Sequence, residues 1–288
     1  FGKGGTALAR KRWKKRLLFF LMALILLPVL LLGWARYIEP HLLLVTHLKA
    51  DTGQTGAQCR VVFFSDTHFS SSYGKEEAAA LAQKINQLEP DIVLFGGDFL
   101  DSYARDQQTL ELDAICEALD GINAPGGKFA VWGNHDYGGG ASRVYPGLME
   151  QCGFTLLKNE YITLEDYSVT IIGCDDVMLG SRTMQQLPED GNFHLVLAHE
   201  PASLGLLDGS AEGIMLTGHT HGGQIYLPFL TEQVLPPGSD GYIRGLYAQE
   251  ETQLLSNGLY VSRGIGTTHL PLRLFNPPEI VELELSPT

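Results

Sequence analysis

The chain has 288 residues, of which 44% are hydrophobic and 18% charged, and this composition excludes a disordered, collagen-like or coiled-coil protein. The formal net charge is −13, but seven basic residues and no acidic residue precede residue 17, which leaves 13 basic and 33 acidic residues beyond it. Affinity for nucleic acid depends on neutralising its phosphates, so a chain this acidic beyond residue 16 is a poor general binder. No nucleic-acid partner is expected.

The first predicted element is an uncharged apolar run over residues 17–34, after a basic segment of residues 1–16. A helix of this length spans about 27 Å at ~1.5 Å per residue, close to the hydrocarbon thickness of a bilayer. The run predicts a transmembrane anchor over residues 17–36, followed by one domain over residues 37–288. The positive-inside rule then predicts a single-pass protein of the cell membrane with its domain on the extracytoplasmic side. A cleaved signal peptide, cut after Gly33-Trp34-Ala35, is the alternative.

Beyond this anchor, apolar runs of strand length alternate with helical patterns. The predicted strands cover residues 41–50, 61–64, 92–95, 129–132, 169–173, 193–198, 213–218, 259–264 and 279–285, and the predicted helices cover residues 75–88, 110–119 and 146–152. Several of the strands lack polar alternation, as strands covered on both faces do. The pattern predicts an α/β layered domain. The Pro- and Gly-rich residues 228–258 are expected to form a surface excursion.

The four cysteines are widely spaced along the chain and form no C-x-x-C pair. They are Cys59, Cys116, Cys152 and Cys174. This spacing argues against a cysteine zinc site and against a disulfide scaffold. Free, partly buried thiols are the favoured interpretation, with one disulfide left open.

Five of the predicted strands end in polar motifs that suit metal binding. These motifs are Ser65-Asp66-Thr67-His68, Gly96-Gly97-Asp98, Gly133-Asn134-His135-Asp136, His199-Glu200-Pro201 and His219-Thr220-His221-Gly222-Gly223. Loops beyond strand carboxyl ends converge in α/β sheets, so all five are expected to face one place. Carboxylate with imidazole suits Mn, Fe, Zn or Ni better than Ca. On an extended segment, alternation sends Asp66 and His68 to one side, and likewise His219 and His221.

Each motif alone has an ordinary structural interpretation. A lone histidine on a strand, such as His199, is more often structural than a ligand, and Gly-Asn-His-Asp also suits a β-turn. The occurrence of five such motifs, each after an apolar strand, favours a shared metal site.

The ordered set resembles the signature of the calcineurin-like metallophosphoesterases, over residues ~60–225. A later Ser262-Arg263-Gly264-Ile265-Gly266 and the Gly-His-Thr-His-Gly-Gly-Gln form are similar to the membrane-associated bacterial branch. The resemblance implies a four-layer αββα sandwich of two mixed β-sheets and two divalent metal ions. In that family pattern the first ion is held by Asp66, His68 and His221, the second by Asn134, His199 and His219, and Asp98 bridges them.

The same resemblance implies a hydrolase of phosphate mono- or diesters, in which a hydroxide shared by two metals attacks the phosphorus. His135 resembles the general acid for the leaving alkoxide, and Asp136 is expected to orient its ring. A phosphoester substrate is expected, with lipid-linked substrates favoured by an anchored site, and no protein partner is implied.

Two other functions are weighed against this one. A UDP-2,3-diacylglucosamine pyrophosphohydrolase of lipid A synthesis shares the signature, but its nucleotide substrate is cytoplasmic and the predicted topology argues against it. A non-catalytic metal- or phosphate-binding module is opposed by the complete ligand set and by His135. In the last loop region Arg263, Arg273 and His269 suit either a role beside the site or ordinary packing.

Overall fold

A computed structural model of the chain describes residues 4–71 and 73–287. Lys3 of the basic segment lies outside the described residues, as do the side chains of Arg10 and Lys11. The α-helices of the described part are α1 (Gly4–Tyr37), α2 (Lys75–Asn86), α3 (Tyr103–Asp106), α4 (Leu112–Asp120), α5 (Asn134–Gly138), α6 (Tyr145–Gln151) and α7 (Gln249–Thr252). Its strands are β1 (Leu44–Asp51), β2 (Cys59–Phe64), β3 (Ile92–Phe95), β4 (Lys128–Ala130), β5 (Thr155–Leu156), β6 (Glu160–Leu164), β7 (Val169–Gly173), β8 (Gln185–Gln186), β9 (Phe193–Leu197), β10 (Leu207–Asp208), β11 (Gly213–Thr217), β12 (Gly245–Tyr247), β13 (Leu259–Val261) and β14 (Glu279–Ser286).

The nine predicted strands and three predicted helices are all present, with ends shifted by a few residues. The elements that periodicity did not predict are short, and several of them are strands formed by pairing with a neighbouring strand. β6, for example, pairs antiparallel with β7, and β12 pairs antiparallel with β13. Part of the expected surface excursion at residues 228–258 is therefore an edge strand.

The helix α2 shows how local sequence produces one of these elements. Glu76 and Glu77 lie in its first turn, where they favour the positive end of the helix dipole, and Glu77 Oε2 accepts a hydrogen bond from the Gly74 amide at 2.7 Å. Its buried residues are Ala78, Leu81, Ala82 and Ile85, spaced for one helical face. That face packs on the first sheet.

Two six-stranded mixed sheets form the centre of the fold. The first has the order β1-β14-β2-β3-β4-β5, and the second has the order β12-β13-β11-β9-β7-β6. The strands β2, β3 and β4 run parallel, and so do β7, β9, β11 and β13. Phe64 lies opposite Phe95, so β2 and β3 end at the same level. Their carboxyl-end loops therefore start side by side.

Three hydrophobic cores separate the layers. One core holds Phe63 and Leu94 from the first sheet together with Leu195 and Leu216 from the second. Another packs the opposite face of the first sheet against α2, α4 and α6. The third covers the outer face of the second sheet with the 3-10 helix Pro201–Leu206 and neighbouring loops. This is the predicted αββα arrangement, with an outer layer on the second sheet made of short turns.

The helix α1 contains the predicted apolar run. The helical span at residues 12–41 contains an 18-residue window with a mean hydropathy of 2.7 and is long and apolar enough to cross a membrane, a property that a signal sequence near the N-terminus shares. The described part of α1 is exposed as far as Leu32, so it is not a core helix of the domain.

The cysteines divide into two kinds. Cys116 and Cys152 form a disulfide that joins α4 to the end of α6, whereas Cys59 and Cys174 are free and buried. The favoured interpretation of free thiols was wrong for the first pair, and the bridge left open by the sequence is present. Packing of α4 on α6 brings together two residues that are 36 positions apart.

Candidate metal centre

The five polar motifs lie in loops at the carboxyl ends of strands from both sheets. Loops after β2, β3 and β4 carry Asp66, Asp98 and Asn134, and loops after β9 and β11 carry His199 and His219. The Asp66 amide donates to the Gly97 carbonyl at 2.9 Å, and the Gly218 amide donates to the His199 carbonyl at 3.0 Å. Neighbouring loops are thus tied to each other within each sheet, and the two sheets meet at this edge.

One group of predicted ligands consists of Asp66, His68 and His221. Their ligand atoms all lie within 4.8 Å of one another, and all three side chains are buried. The Nε2 atoms of His68 and His221 are 3.0 Å apart, and His221 Nε2 is 3.6 Å from Asp66 Oδ1.

The other group consists of Asn134, His199 and His219. Asn134 Oδ1 is 3.1 Å from His199 Nε2 and 3.0 Å from His219 Nδ1, and those two nitrogens are 3.3 Å apart. Asp98 lies between the groups, because its Oδ2 is 3.5 Å from His68 Nε2 and 3.3 Å from His199 Nε2.

The donor set fits divalent cations on its chemistry. Two carboxylates, one amide oxygen and four imidazoles turn their lone pairs toward each other in a buried space. This set contains more acceptor lone pairs than hydrogen-bond donors, so hydrogen bonds within it leave some lone pairs facing each other. A cation can accept several of these lone pairs at once. The outer nitrogens of two rings are held in the way common for metal-binding histidines: His199 Nδ1 donates to the Gly96 carbonyl at 2.8 Å and His219 Nε2 to the Pro237 carbonyl at 2.7 Å.

The pKa shifts of His219, His221 and Asp98 agree with this chemistry. Burial lowers the pKa of His199, but the charge and hydrogen bond of Asp98 outweigh burial and raise that pKa well above its ordinary value. Burial lowers the pKa of His219, and it lowers that of His221 further with help from the nearby His68 and Arg273, so both rings stay neutral. Burial alone would raise the pKa of Asp98, but His199, His68 and His135 hold it well below the ordinary value. Asp98 is therefore an ionised carboxylate at the centre of the site.

The backbone carrying the ligands differs from the extended segments that were expected. Positive φ angles occur at Asp66 (55°), His68 (42°), Asp98 (58°), His219 (69°) and His221 (49°). Asp66 and His68 do lie in one group, whereas His219 and His221 lie in different groups, and left-handed turns rather than strand alternation set their directions. Non-glycine residues in this region cost of order 1–3 kcal/mol each and cluster at functional sites.

Two glycines allow the loops to approach closely. A Cβ on Gly133 would lie 2.3 Å from Asp98 Oδ1, and one on Gly218 would lie 2.2 Å from Asp66 Oδ2. Any side chain at either position would displace a predicted metal ligand.

His135 lies at the edge of the cluster and lines a cavity. Its Nδ1 donates to the Asp101 carbonyl at 2.7 Å, which leaves Nε2 as the second ring nitrogen for a ligand. Burial lowers the pKa of His135, but the charges of Asp98 and Asp101 outweigh burial and raise it above the ordinary value. The ring therefore favours its protonated form.

Asp136 is buried, and its hydrogen bonds are made to backbone amides. Its carboxylate accepts hydrogen bonds from the amides of Asp98 and Gly133 (both 2.9 Å) and Phe99 (3.0 Å). Burial, with the charge of Asp98, raises the pKa of Asp136 to about 7. These contacts hold two ligand loops together, and the expected role in orienting the ring of His135 stays a prediction.

Asp101 is the site residue that sequence reasoning missed. Besides its carbonyl, its Oδ1 lies 3.8 Å from His135 Nδ1 and 3.5 Å from His68 Nδ1, and its Oδ2 accepts from Arg105 at 2.7 Å. With His68 and His135 it forms a third group of potential ligand atoms. Asp101 follows Asp98 by three residues on the same loop, and this proximity in sequence could have indicated that it lies near the site.

The three undecided residues of the last loop region have separate environments. Arg273 is fully buried, donates to the carbonyls of Gly266, Asn276 and Arg263, and has Nη2 3.4 Å from His221 Nδ1. Arg263 pairs with Glu279 at 2.6 Å. His269 lines the cavity. Arg273 thus lies beside the site, Arg263 has a packing role, and His269 faces the space in front of the ligands.

That space is a cavity of about 740 Å³. Its inner wall is polar and includes Asp98, Asn134, His135 and His219, while its outer wall is formed by apolar residues of segments 225–237 and 268–270. The cavity is large enough for a small organic ester, and it gives that ester access to the predicted ligands.

Comparisons with known proteins agree with the geometry. The family model described as Calcineurin-like phosphoesterase matches residues 59–223. The chain is 37% identical to an uncharacterized metallophosphoesterase, YkuE of Bacillus subtilis, across 89% of this chain and 90% of that protein. It is 30% identical to the phosphodiesterase YaeI of Escherichia coli, across 88% and 92%. It is 27% identical to the UDP-2,3-diacylglucosamine pyrophosphatase LpxG of Chlamydia muridarum, across 90% and 94%.

Proposed function

Since this chain belongs to the calcineurin-like phosphoesterase family and is a metal-dependent hydrolase of phosphoric ester bonds, we propose that it hydrolyses phosphate mono- or diesters at a two-metal site anchored to a membrane. The observation that carries the proposal is the position of Asp98. Its carboxylate lies within 3.5 Å of both ligand groups, which suits a residue shared by two ions.

The proposed ligand assignment follows the two groups. Asp66, His68 and His221 hold one ion, Asn134, His199 and His219 hold the other, and Asp98 is shared. When bound, two such ions supply an activated water and neutralise charge on phosphate oxygens. Their identity is proposed to be Mn, Fe, Zn or Ni, because these ions accept mixed carboxylate and imidazole ligands.

The chain's own side chains supply the remaining chemistry. His135 is proposed as the general acid, since its Nδ1 is held by the Asp101 carbonyl and its other nitrogen is available to give a proton to the leaving oxygen. The six predicted ligands other than Asn134 are buried, and burial strengthens their charge interactions with a substrate.

The proposed location is a membrane, with α1 as an uncleaved single-pass anchor and residues 37–288 as one catalytic domain on the extracytoplasmic side. The exposed apolar surface of α1 supports an anchor, and the basic cluster before residue 17 supports this orientation.

An assay on the full chain in detergent tests the proposal. The purified protein, supplied in turn with Mn²⁺, Fe²⁺, Zn²⁺ and Ni²⁺, is expected to hydrolyse a water-soluble chromogenic phosphomonoester or phosphodiester. Asp98→Asn should lower the rate by at least ~100-fold, whereas Glu250→Gln, which changes an exposed acid on α7, should leave it unchanged. Absence of hydrolysis with all four metals would overturn the proposal.

A second candidate is hydrolysis of a UDP-linked diacylglucosamine, favoured by the similarity to LpxG. That substrate faces the cytoplasm, so this candidate requires the opposite topology. A reporter fused to the C-terminus decides between them. An extracytoplasmic signal supports the first proposal, and a cytoplasmic signal supports the second.

A further inference from the structure

A group of exposed apolar side chains surrounds the mouth of the cavity, and we call it the apolar rim. It consists of Leu227, Phe229, Leu230, Val234, Leu270 and Phe275, with exposed fractions from 39% to 83%. Segment 222–238, which supplies four of them, contains one charged residue, Glu232. Clustered exposed apolar side chains of this kind mark a surface that contacts a partner or a membrane.

The apolar rim is continuous with the candidate metal centre. Leu227, Leu230, Val234 and Leu270 line the same cavity as Asp98 and His135. A molecule that enters this cavity therefore meets an apolar wall first and the ligands behind it.

The apolar rim is also tied to the end of the apolar helix. The Tyr226 amide donates to the Leu274 carbonyl at 2.9 Å, which joins the two segments of the rim. Next to Leu274, the Arg273 amide donates to the carbonyl of Ala35 in the last turn of α1 at 2.9 Å. Two residues after Leu274, the Asn276 amide donates to Glu39 just beyond that helix. The rim segments and the helix end therefore form one connected unit.

The end of α1 indicates where a membrane surface would lie. Trp34 and Tyr37 are exposed there, and such aromatic residues favour the headgroup level of a bilayer. Arg36 stacks over the Tyr37 ring with 5.1 Å to its centroid, which places a cation at the same level. A loop hydrogen-bonded to Ala35 is held at this depth too.

We propose that the apolar rim lies in the headgroup–acyl boundary of the membrane that α1 enters, and that the cavity takes the phosphoester of a lipid from that membrane. The proposal rests on the proposed phosphoesterase function and adds the substrate class. The lipid's phosphate reaches the ligands on the inner wall, while its acyl chains stay against the rim. Continuity with the helix favours a lipid surface over a protein as the occupant.

The contact with the membrane is measured without reference to activity. Full-length Phe229→Cys carries an environment-sensitive fluorophore and is reconstituted into phosphatidylcholine vesicles, with or without bromine atoms on the acyl chains. Native cysteines do not interfere, because Cys59 and Cys174 are buried and Cys116 is bonded to Cys152. The matched control is Tyr161→Cys, 59% exposed on β6 at the opposite edge of the second sheet from β12.

Brominated acyl chains are expected to quench the label at position 229 at least twofold and to leave the label at position 161 unchanged. Equal emission at position 229 in both kinds of vesicle would overturn the proposal.

The substrate class is tested by a ratio of rates. Hydrolysis of dioleoyl phosphatidic acid and phosphatidylglycerol in vesicles is compared with hydrolysis of a soluble chromogenic ester by the same protein. The double variant Phe229→Ser, Leu230→Ser should lower the lipid-to-soluble ratio at least tenfold, and Tyr161→Ser should not change it. An unchanged ratio with intact soluble activity overturns the lipid substrate alone. If the unaltered protein hydrolyses neither the lipids nor the soluble ester, the proposed phosphoesterase function itself is overturned.

Discussion

His135 and Asp136 are neighbours in the chain, yet their side chains have different partners. The His135 ring faces the cavity with Nδ1 held by the Asp101 carbonyl, and the Asp136 carboxylate faces inward and accepts three backbone hydrogen bonds. The first residue is placed to act on a substrate, and the second holds the loops after β3 and β4 together. Substitutions at the two positions should therefore affect different properties.

Replacing His135 with Ala should lower turnover by ~10²–10⁴-fold, because a positioned proton donor contributes about that much. Metal content, measured by elemental analysis of the purified protein, should be unchanged. His47→Ala provides a control, since that ring is largely exposed on β1. Loss of metal from the His135 variant would make this residue a ligand and contradict its assignment as an acid.

Replacing Asp136 with Asn should lower the free energy of unfolding by about 1–3 kcal/mol, because an amide nitrogen would face a buried backbone N–H that needs an acceptor. Thermal unfolding in detergent measures the loss. Asp113→Asn is the control, because Asp113 is exposed and accepts only from Gln151. Unchanged stability combined with slow turnover would instead favour the ring-orienting role.

At the scale of elements, the turns after the strands determine where the ligands point. A left-handed backbone at Asp66 and Asp98, together with close approach at Gly133 and Gly218, turns side chains of separate loops toward one space. The strands themselves are buried and rigid, so the strain in these turns is held by the two sheets.

A polar loop also stabilises the second sheet, where Asp190 lies before β9. Asp190 accepts from Thr170 at 2.6 Å and from Asn192 at 3.0 Å, and it lies 3.0 Å from His194 Nε2. Burial raises the pKa of Asp190, but the hydrogen bonds from Thr170 and His194 outweigh it and lower the pKa to about 2. The buried His194 thus has a structural role, in contact with Asp190.

Because the pKa of Asp190 is lower in the folded than in the unfolded chain, its stabilising effect should be complete above about pH 5 and lost as pH falls from about 4 to about 2. Asp190→Asn should therefore lower the melting temperature at pH 7, and the difference from the unaltered protein should shrink over that acidic range. Glu189→Gln, an exposed neighbour, serves as control. A difference that is the same at pH 7 and pH 2 would contradict this origin.

At the scale of the whole molecule, charge and burial predict that a bound metal stabilises the fold. Six of the seven predicted ligands are buried, and Asp66 and Asp98 place two carboxylates among them in a body that is acidic overall. Buried charges without partners destabilise a protein, so cations at this point should stabilise the joined sheets.

Removing metal from the full chain with a chelator should lower its melting temperature, and added Mn²⁺ should restore it. Binding at 1,000 times the dissociation constant contributes about 4 kcal/mol. In Asp98→Asn, Mn²⁺ should produce a much smaller shift, and His47→Ala should respond as the unaltered protein does. A melting temperature that chelation does not move would contradict the metal assignment.

Local patterns predicted the strands, the main helices, the apolar N-terminal helix and the motifs at the strand ends. Apolar runs and Pro or Gly boundaries act over a few residues, so they can be recognised without the fold. The seven predicted ligands lie together, while their division between two metals stays a prediction. The motifs were sufficient to predict the ligands because each motif contains at least one residue of a type that binds metal.

Tertiary structure alone decided the partners of those residues. The contact of Asp101 with His135, the burial of Arg273 behind His221, the Cys116–Cys152 bridge and the link from Ala35 to the apolar rim all join segments that are distant in the chain or that meet only through packing. Such contacts depend on how sheets and loops pack in three dimensions, and no short window of residues encodes that packing. The sequence therefore predicted which residues could bind metal and act on a phosphoester, whereas packing determined how those residues are arranged.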